Sequence, residues 1–203
     1  MHASRTPGLV RAAFFVLSVA GLAAATAPAR AQSIQIDIAD ATLFPGESTT
    51  ITLSASYGAG DYAVAGIATE VVDLLGRGGF SDLQLIAPMD GPGTSAGSVA
   101  AGGIEGIIAG QLNVPPAGIY ADPTSPIAFW SMTFTVGDIG TREILDLETR
   151  TTRFDVYPDM TRALSESRLD ELTEGRGSIL LVPTPGSAAV LGLGLLAIGR
   201  RRR

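Results

Sequence analysis

The chain contains no cysteine and no lysine, and its one histidine is His2. Without cysteine there is no disulfide, no thiolate nucleophile and no sulfur-ligated metal. Without lysine there is no Schiff-base chemistry. His2 falls in an N-terminal segment that reads as a leader, so the body that follows has no imidazole. Ser-His-Asp triads, Cys-His pairs and histidine-bound zinc are therefore excluded from it. Aromatic residues make up only 6% of the chain, which leaves little material for a sugar-stacking platform.

Carboxylates are plentiful. All 20 acidic residues lie between positions 32 and 182. The same stretch holds seven arginines: Arg77, Arg142, Arg150, Arg153, Arg162, Arg168 and Arg176. Its net charge is therefore −13, well beyond the −6 of the whole chain. Such a surface repels nucleic acid and anionic lipid, so no nucleic-acid partner is expected.

Residues 1–31 read as a secretory signal peptide. Arg5 and Arg11 supply the positive start, and residues 12–25 supply a short apolar run. Ala29-Arg30-Ala31 is an A-x-A cleavage site, which places the cut before Gln32. A cut after Ala29, using Ala27-Pro28-Ala29, is the alternative.

Residues 183–203 form a distinct tail. Pro183, Thr184, Pro185 and Gly186 open it, residues 187–199 are apolar, and Arg200, Arg201, Arg202 and Arg203 close the chain. Thirteen apolar residues give a helix of about 20 Å, short of the roughly 30 Å of a bilayer core. The two prolines stop that helix from extending backward. Terminal arginines hold their end on the cytoplasmic side. The tail is thus expected to be a membrane-sorting helix that occupies the inner membrane only transiently.

The order of proline motif, apolar segment and arginine cluster resembles the PEP-CTERM sorting signal of Gram-negative bacterial proteins. Threonine at position 184 stands where that signal usually has glutamate. The resemblance implies handling by the secretion machinery and then by an exosortase-like processing enzyme, a membrane cysteine transpeptidase. It also implies a place at the cell surface or outside it, linked to exopolysaccharide or the envelope.

The body, residues 32–182, has the size of one domain with an adequate core. Its pattern predicts an all-β fold of eight or nine short strands, a β-sandwich. Ile34, Ile36 and Ile38 alternate with polar residues, and a turn at Pro45-Gly46 follows. Ile51, Leu53, Ala55 and Tyr57 then share one face. Further strands are expected over residues 62–72, 80–86, 104–112, 127–136, 143–147, 152–157 and 179–182. Residues 91–103 read as a loop, and in residues 163–172 the spacing of Leu164, Leu169 and Leu172 allows a short helix. In residues 127–136, Ala128, Trp130, Met132, Phe134 and Val136 are expected on the core side. The opening strands and their Pro-Gly turn resemble cohesin-like or Ig-like modules.

Candidate sites come from three groups. Asp37 with Asp40, Asp155 with Asp159, and Asp170 with Glu171 and Glu174 offer oxygen ligands for calcium, although none has EF-hand spacing. Otherwise they are a solvated acidic face, and no cofactor is required. Trp130, Tyr57, Tyr62, Tyr120 and Tyr157 are the aromatics available to a glycan, with Tyr120 in a proline-rich loop the best exposed candidate. A carboxylate pair is the only route left to hydrolysis, and no pair is singled out.

The expected function is a non-catalytic, exported cell-surface or matrix protein. Two alternatives remain: a cohesin-like module that binds carbohydrate or protein, and a carboxylate glycosidase. A processed tail has a direct readout. The C-terminal peptide of the envelope-associated protein should lack Arg203 in mass spectra. If that peptide retains Arg203, the tail is a simple anchor.

Overall fold

A computed structural model describes residues 31–72, 76–100 and 103–184. The leader up to Arg30 and the tail from Pro185 onward lie outside the described residues. Eleven strands run in chain order: β1 (Ser33–Ile38), β2 (Thr42–Leu43), β3 (Ser48–Ser56), β4 (Ala63–Val72), β5 (Gly78–Leu85), β6 (Ser95–Ala100), β7 (Gly103–Gly110), β8 (Ile127–Val136), β9 (Glu143–Tyr157), β10 (Glu166–Ser167) and β11 (Arg176–Leu181). Single 3₁₀ turns sit at Pro115–Ala117 and Leu169–Glu171. No α-helix occurs among the described residues.

Two sheets face each other. The first is ordered β1-β3-β8-β5. The second is ordered β2-β11-β9-β4-β7-β6, with β10 added beside β9. Every strand pairing is antiparallel except β2 with β11. The period-two pattern sends Ile51, Leu53 and Ala55 of β3 and Trp130, Met132 and Phe134 of β8 into the space between the sheets. Val64, Ile67 and Val71 of β4 and Phe154 and Val156 of β9 meet them from the other side. Trp130 is fully buried, and its indole N–H donates to the Ala96 carbonyl of β6 at 2.8 Å. That bond closes the seam between the sheets and satisfies the one polar atom of the ring.

The outward positions of the first sheet are mostly hydroxyls. Ser48 faces Thr135, Thr50 faces Thr133 and Thr52 faces Ser131 across β3 and β8. This is the polar side of a half-solvated antiparallel sheet. On the second sheet, Gly175 and Gly177 let β1 lie against β11. A Cβ at Gly177 would sit 3.0 Å from the Ile38 Cδ1 and 3.2 Å from the Ile36 Cγ2.

Four expectations need correction. First, residues 143–157 form one strand, not two. Its middle looked polar because Thr149 points inward, fully buried, and donates to Glu174 Oε2 at 2.6 Å. Thr151 donates to the same carboxylate through both its N–H and its hydroxyl, each within 2.8 Å. Second, the expected loop at 91–103 contains β6, an edge strand of Ser, Ala, Gly and Val with no apolar alternation. Third, residues 163–172 hold β10 and a 3₁₀ turn in place of a helix, with Leu164 left 81% exposed. Fourth, a bulge between Leu53 and Ser54 of β3 leaves Phe129 as an extra residue on β8. Phe129 enters the core, and Ala128 turns to the other face, half-buried.

Trp130 makes the seam and fills the core, so its loss should be expensive. Trp130→Ala should cost about 3–5 kcal/mol in denaturant unfolding of residues 32–182. A change near zero would place the ring at the surface.

Candidate binding face

The outer surface of the second sheet is built differently from that of the first. Ala63 and Ala65 of β4 and Tyr157 of β9 point outward, yet all three are buried. Residues 111–126 cover them and bring Ala121 into contact. Two side-chain amides hold this cover in place. Gln111 donates from Nε2 to the Val64 carbonyl at 2.6 Å and to the Asp122 carbonyl at 3.2 Å. Its Oε1 accepts the Asp122 N–H at 2.7 Å. Asn113, 2% exposed, donates to the Met160 and Arg162 carbonyls at 3.2 and 2.7 Å and accepts the Ala121 N–H at 3.3 Å. Each amide uses donor and acceptor together, as a buried amide must.

Three tyrosines add hydroxyl bonds to the same cover. Tyr157 donates to the Gln111 carbonyl at 3.0 Å, Tyr62 to Ala121 at 2.9 Å and Tyr57 to Pro123 at 2.5 Å. These aromatics therefore hold backbone and do not form a stacking face. Tyr120 is 51% exposed, as its proline-rich loop suggested. The loops themselves are tightened by two Asp-x-Thr turns. Asp122 Oδ1 accepts the Thr124 hydroxyl at 2.6 Å and its N–H at 2.8 Å. These bonds, the hydroxyl first, hold the Asp122 carboxyl below the ordinary carboxylate range. Asp159 makes the same two bonds to Thr161, and its carboxyl is lowered chiefly by that hydroxyl.

Beside the cover lies a recess of about 190 Å³. Gly66 and Gly110 form its floor, and Gly91, Leu112, Arg153 and Ser165 are among its walls. Gly91 is required by close approach: a Cβ there would meet the Gly110 carbonyl oxygen at 2.8 Å. Arg153 and Asp155 share the outward face of β9 at alternate positions. Arg153 pairs with Asp155 Oδ2 through Nε at 2.5 Å. Its Nη2 lies over Gly66, within 3.8 Å of where a Cβ would stand. Neither Nη has a hydrogen-bond acceptor among the described residues. Apolar side chains stand out of the surface around this point. Ile108 and Leu112 line the recess and are 40% and 48% exposed. The loop that Asn113 grips brings Ser165 to the wall and leaves Met160 and Leu164, its own apolar side chains, exposed.

The acidic candidates do not converge. No group of three His, Cys, Asp or Glu residues is arranged to hold a metal ion among the described residues. Asp37 accepts from Ser54, Asp155 serves Arg153, and Glu174 serves Thr149 and Thr151. Of the processing residues, Ala31 is exposed and Gln32 is buried, Pro183 is half-buried and Thr184 is exposed. Ala29, Pro185, Gly186 and Arg200 to Arg203 lie outside the described residues. No helix among the described residues is long and apolar enough to cross a membrane.

No family model and no curated protein sequence matches this chain. Solved structures do. The seventh ScaB type I cohesin from Pseudobacteroides cellulosolvens superposes with a TM-score of 0.54 at 12% identity, over 75% of this chain and 94% of the cohesin. A cohesin module from a Clostridium perfringens family 33 glycoside hydrolase gives 0.43 at 10% identity, over 76% of this chain and 98% of the module. A type I cohesin in a cohesin–dockerin complex from Clostridium thermocellum gives 0.41 at 16% identity, over 75% and 99%. Only the first is close enough to bear on the fold, and the body is a β-sandwich like that type I cohesin.

Proposed function

We propose that this is an exported, non-catalytic module that binds a protein partner through the outer face of its second sheet. The observation that carries the reading is the recess with its exposed apolar rim. Ile108 and Leu112 line the recess, and Leu164 stands next to the lining residue Ser165; each offers aliphatic surface that a monomer gains nothing by exposing. Arg153 also lines the recess, and its Nη atoms, without an acceptor among the described residues, offer a directional partner for a carboxylate. Apolar contacts around a central charged anchor suit protein recognition. The likeness to a cohesin in fold is consistent with such a role.

The address comes from the sequence. In this reading the signal peptide ends at Ala31, an exosortase-like enzyme recognises the tail from Pro183, and the body is delivered to the envelope or its exopolysaccharide. The fold then orients the face. Leu181, the last residue of β11, pairs with Glu143 at one end of β9, and the recess lies by Tyr157 at the other. Strand β9 has 15 residues, up to about 45 Å of chain. A body tethered through its tail would hold the recess away from the tether, open to a partner in the surrounding medium.

The experiment is co-purification from the envelope with point variants on the rim. Leu112→Asp and Leu164→Asp should each weaken capture of the partner by tenfold or so, about 1.4 kcal/mol, without lowering the melting temperature. Capture that is unchanged in both variants would remove this face from the binding surface.

A further inference from the structure

The outer face of the second sheet changes character at the end of β9 away from the recess. There Leu180 of β11 lies opposite Ile144 of β9 on one side and Thr42 of β2 on the other. Leu145 and Leu181 are buried in the core, so Ile144 and Leu180 point outward. Ile144 is 65% exposed. The Val182 N–H donates to the Leu43 carbonyl at 2.9 Å and carries the contact of β11 with β2 one residue further. Leu43 is buried, and Phe44 after it alternates outward and is exposed. Further along the same face, the outward residues of these two strands are Asp146 opposite Ser178 and Glu148 opposite Arg176. Arg176 pairs with Glu148 at 2.9 Å. The apolar outward residues of β9 and β11 are thus confined to the end where β11 stops.

The tail leaves the body from this same end. Val182 is held to β2, and the apolar stretch of the tail begins at residue 187. Only residues 183–186 lie between them, and four residues reach about 14 Å at most. A tail seated in a bilayer therefore keeps this end of the sheet at the lipid surface. The acidic body gains nothing from anionic headgroups, so a favourable contact there has to be apolar. Ile144 and Phe44 supply it, with Leu180 between their strands.

We propose that Ile144, Leu180 and Phe44 form a lipid-facing foot, which rests on the phospholipid surface while the tail is in the membrane. This rests on the membrane reading of the tail and does not depend on the recess. The foot holds Pro183 and Thr184 at the height where a membrane enzyme would meet them. It also turns the recess, at the opposite end of β9, away from the lipid.

The chain has no cysteine, so a single introduced one carries a fluorophore alone. The protein, isolated from the inner membrane with its tail intact, is placed in phosphatidylcholine vesicles that hold nitroxide lipids. A label at Phe44→Cys or Ile144→Cys should be quenched by a nitroxide near the headgroup, and one at Ile108→Cys should not. A label at Leu193→Cys, in the tail, should be quenched by a nitroxide deep in the acyl chains. Quenching at 193 with none at 44 and 144 overturns the foot and leaves the tail reading standing. No quenching at 193 overturns the tail reading and the foot with it. A label at 144 that is shielded from water yet unquenched places a second copy of the chain there and also overturns the foot. Adding Ile144→Asp should relieve most of the quenching at position 44. Unchanged quenching would mean that the tether alone holds this end at the surface, which contradicts an apolar foot.

Discussion

Two buried amides govern what the outer surface of the second sheet can be. An outward alanine row on β4 is too small to bury itself, and an aromatic beside it at Tyr157 needs a partner for its hydroxyl. Gln111 and Asn113 solve both problems by tying residues 111–126 and the loop at 160–162 onto that row. Without those bonds the two amides, 7% and 2% exposed, would be buried without partners, at a cost of about 1–3 kcal/mol for each unsatisfied group. The recess lies beside that cover, over Gly66 and Gly110, and Ile108 of β7 and Leu112 at the start of the cover leave aliphatic surface along it.

Much of the sandwich was legible in the sequence, since a strand with one face in the core must alternate. The rows Ile51-Leu53-Ala55 and Trp130-Met132-Phe134 could be placed from spacing alone. Legibility failed where an inward position is polar or an outward one is apolar. Thr149 and Thr151 break the apolar pattern of β9 because Glu174, far along the chain, satisfies them. Phe129 breaks the pattern of β8 because a bulge shifts the register, and no single sequence signal marks that bulge. Strand β6 has small residues because it is an edge strand, where packing makes fewer demands on side-chain size.

The proposed binding face was less legible than the fold. Its parts are single residues from β4, β7, β9 and three loops, brought together only by the sheet order. Gln111 falls at the end of an expected strand and Asn113 just past it, with nothing in the pattern to mark either as a clamp, and their role depends on carbonyls about 47 residues away in either direction. Leu164 looked like one turn of a helix face and is instead a projecting side chain. The acidic clusters drew attention as cation ligands because carboxylates are conspicuous in composition. Those nearest the face are engaged by the protein itself: Asp155 by Arg153, and Asp122 and Asp159 by the threonines of their own turns.

The two outer surfaces of the sandwich make opposite claims on a partner. The first sheet presents hydroxyls, and the second presents aliphatic side chains and a guanidinium along one recess. Site-specific photo-crosslinking in living cells separates them most directly. A photoreactive residue at position 164, next to the recess-lining Ser165, should join to an envelope protein and give a discrete heavier species. The same group at position 50, on the hydroxyl face, should give none. A discrete protein adduct from position 50 with nothing from position 164 would contradict the assignment of the binding face.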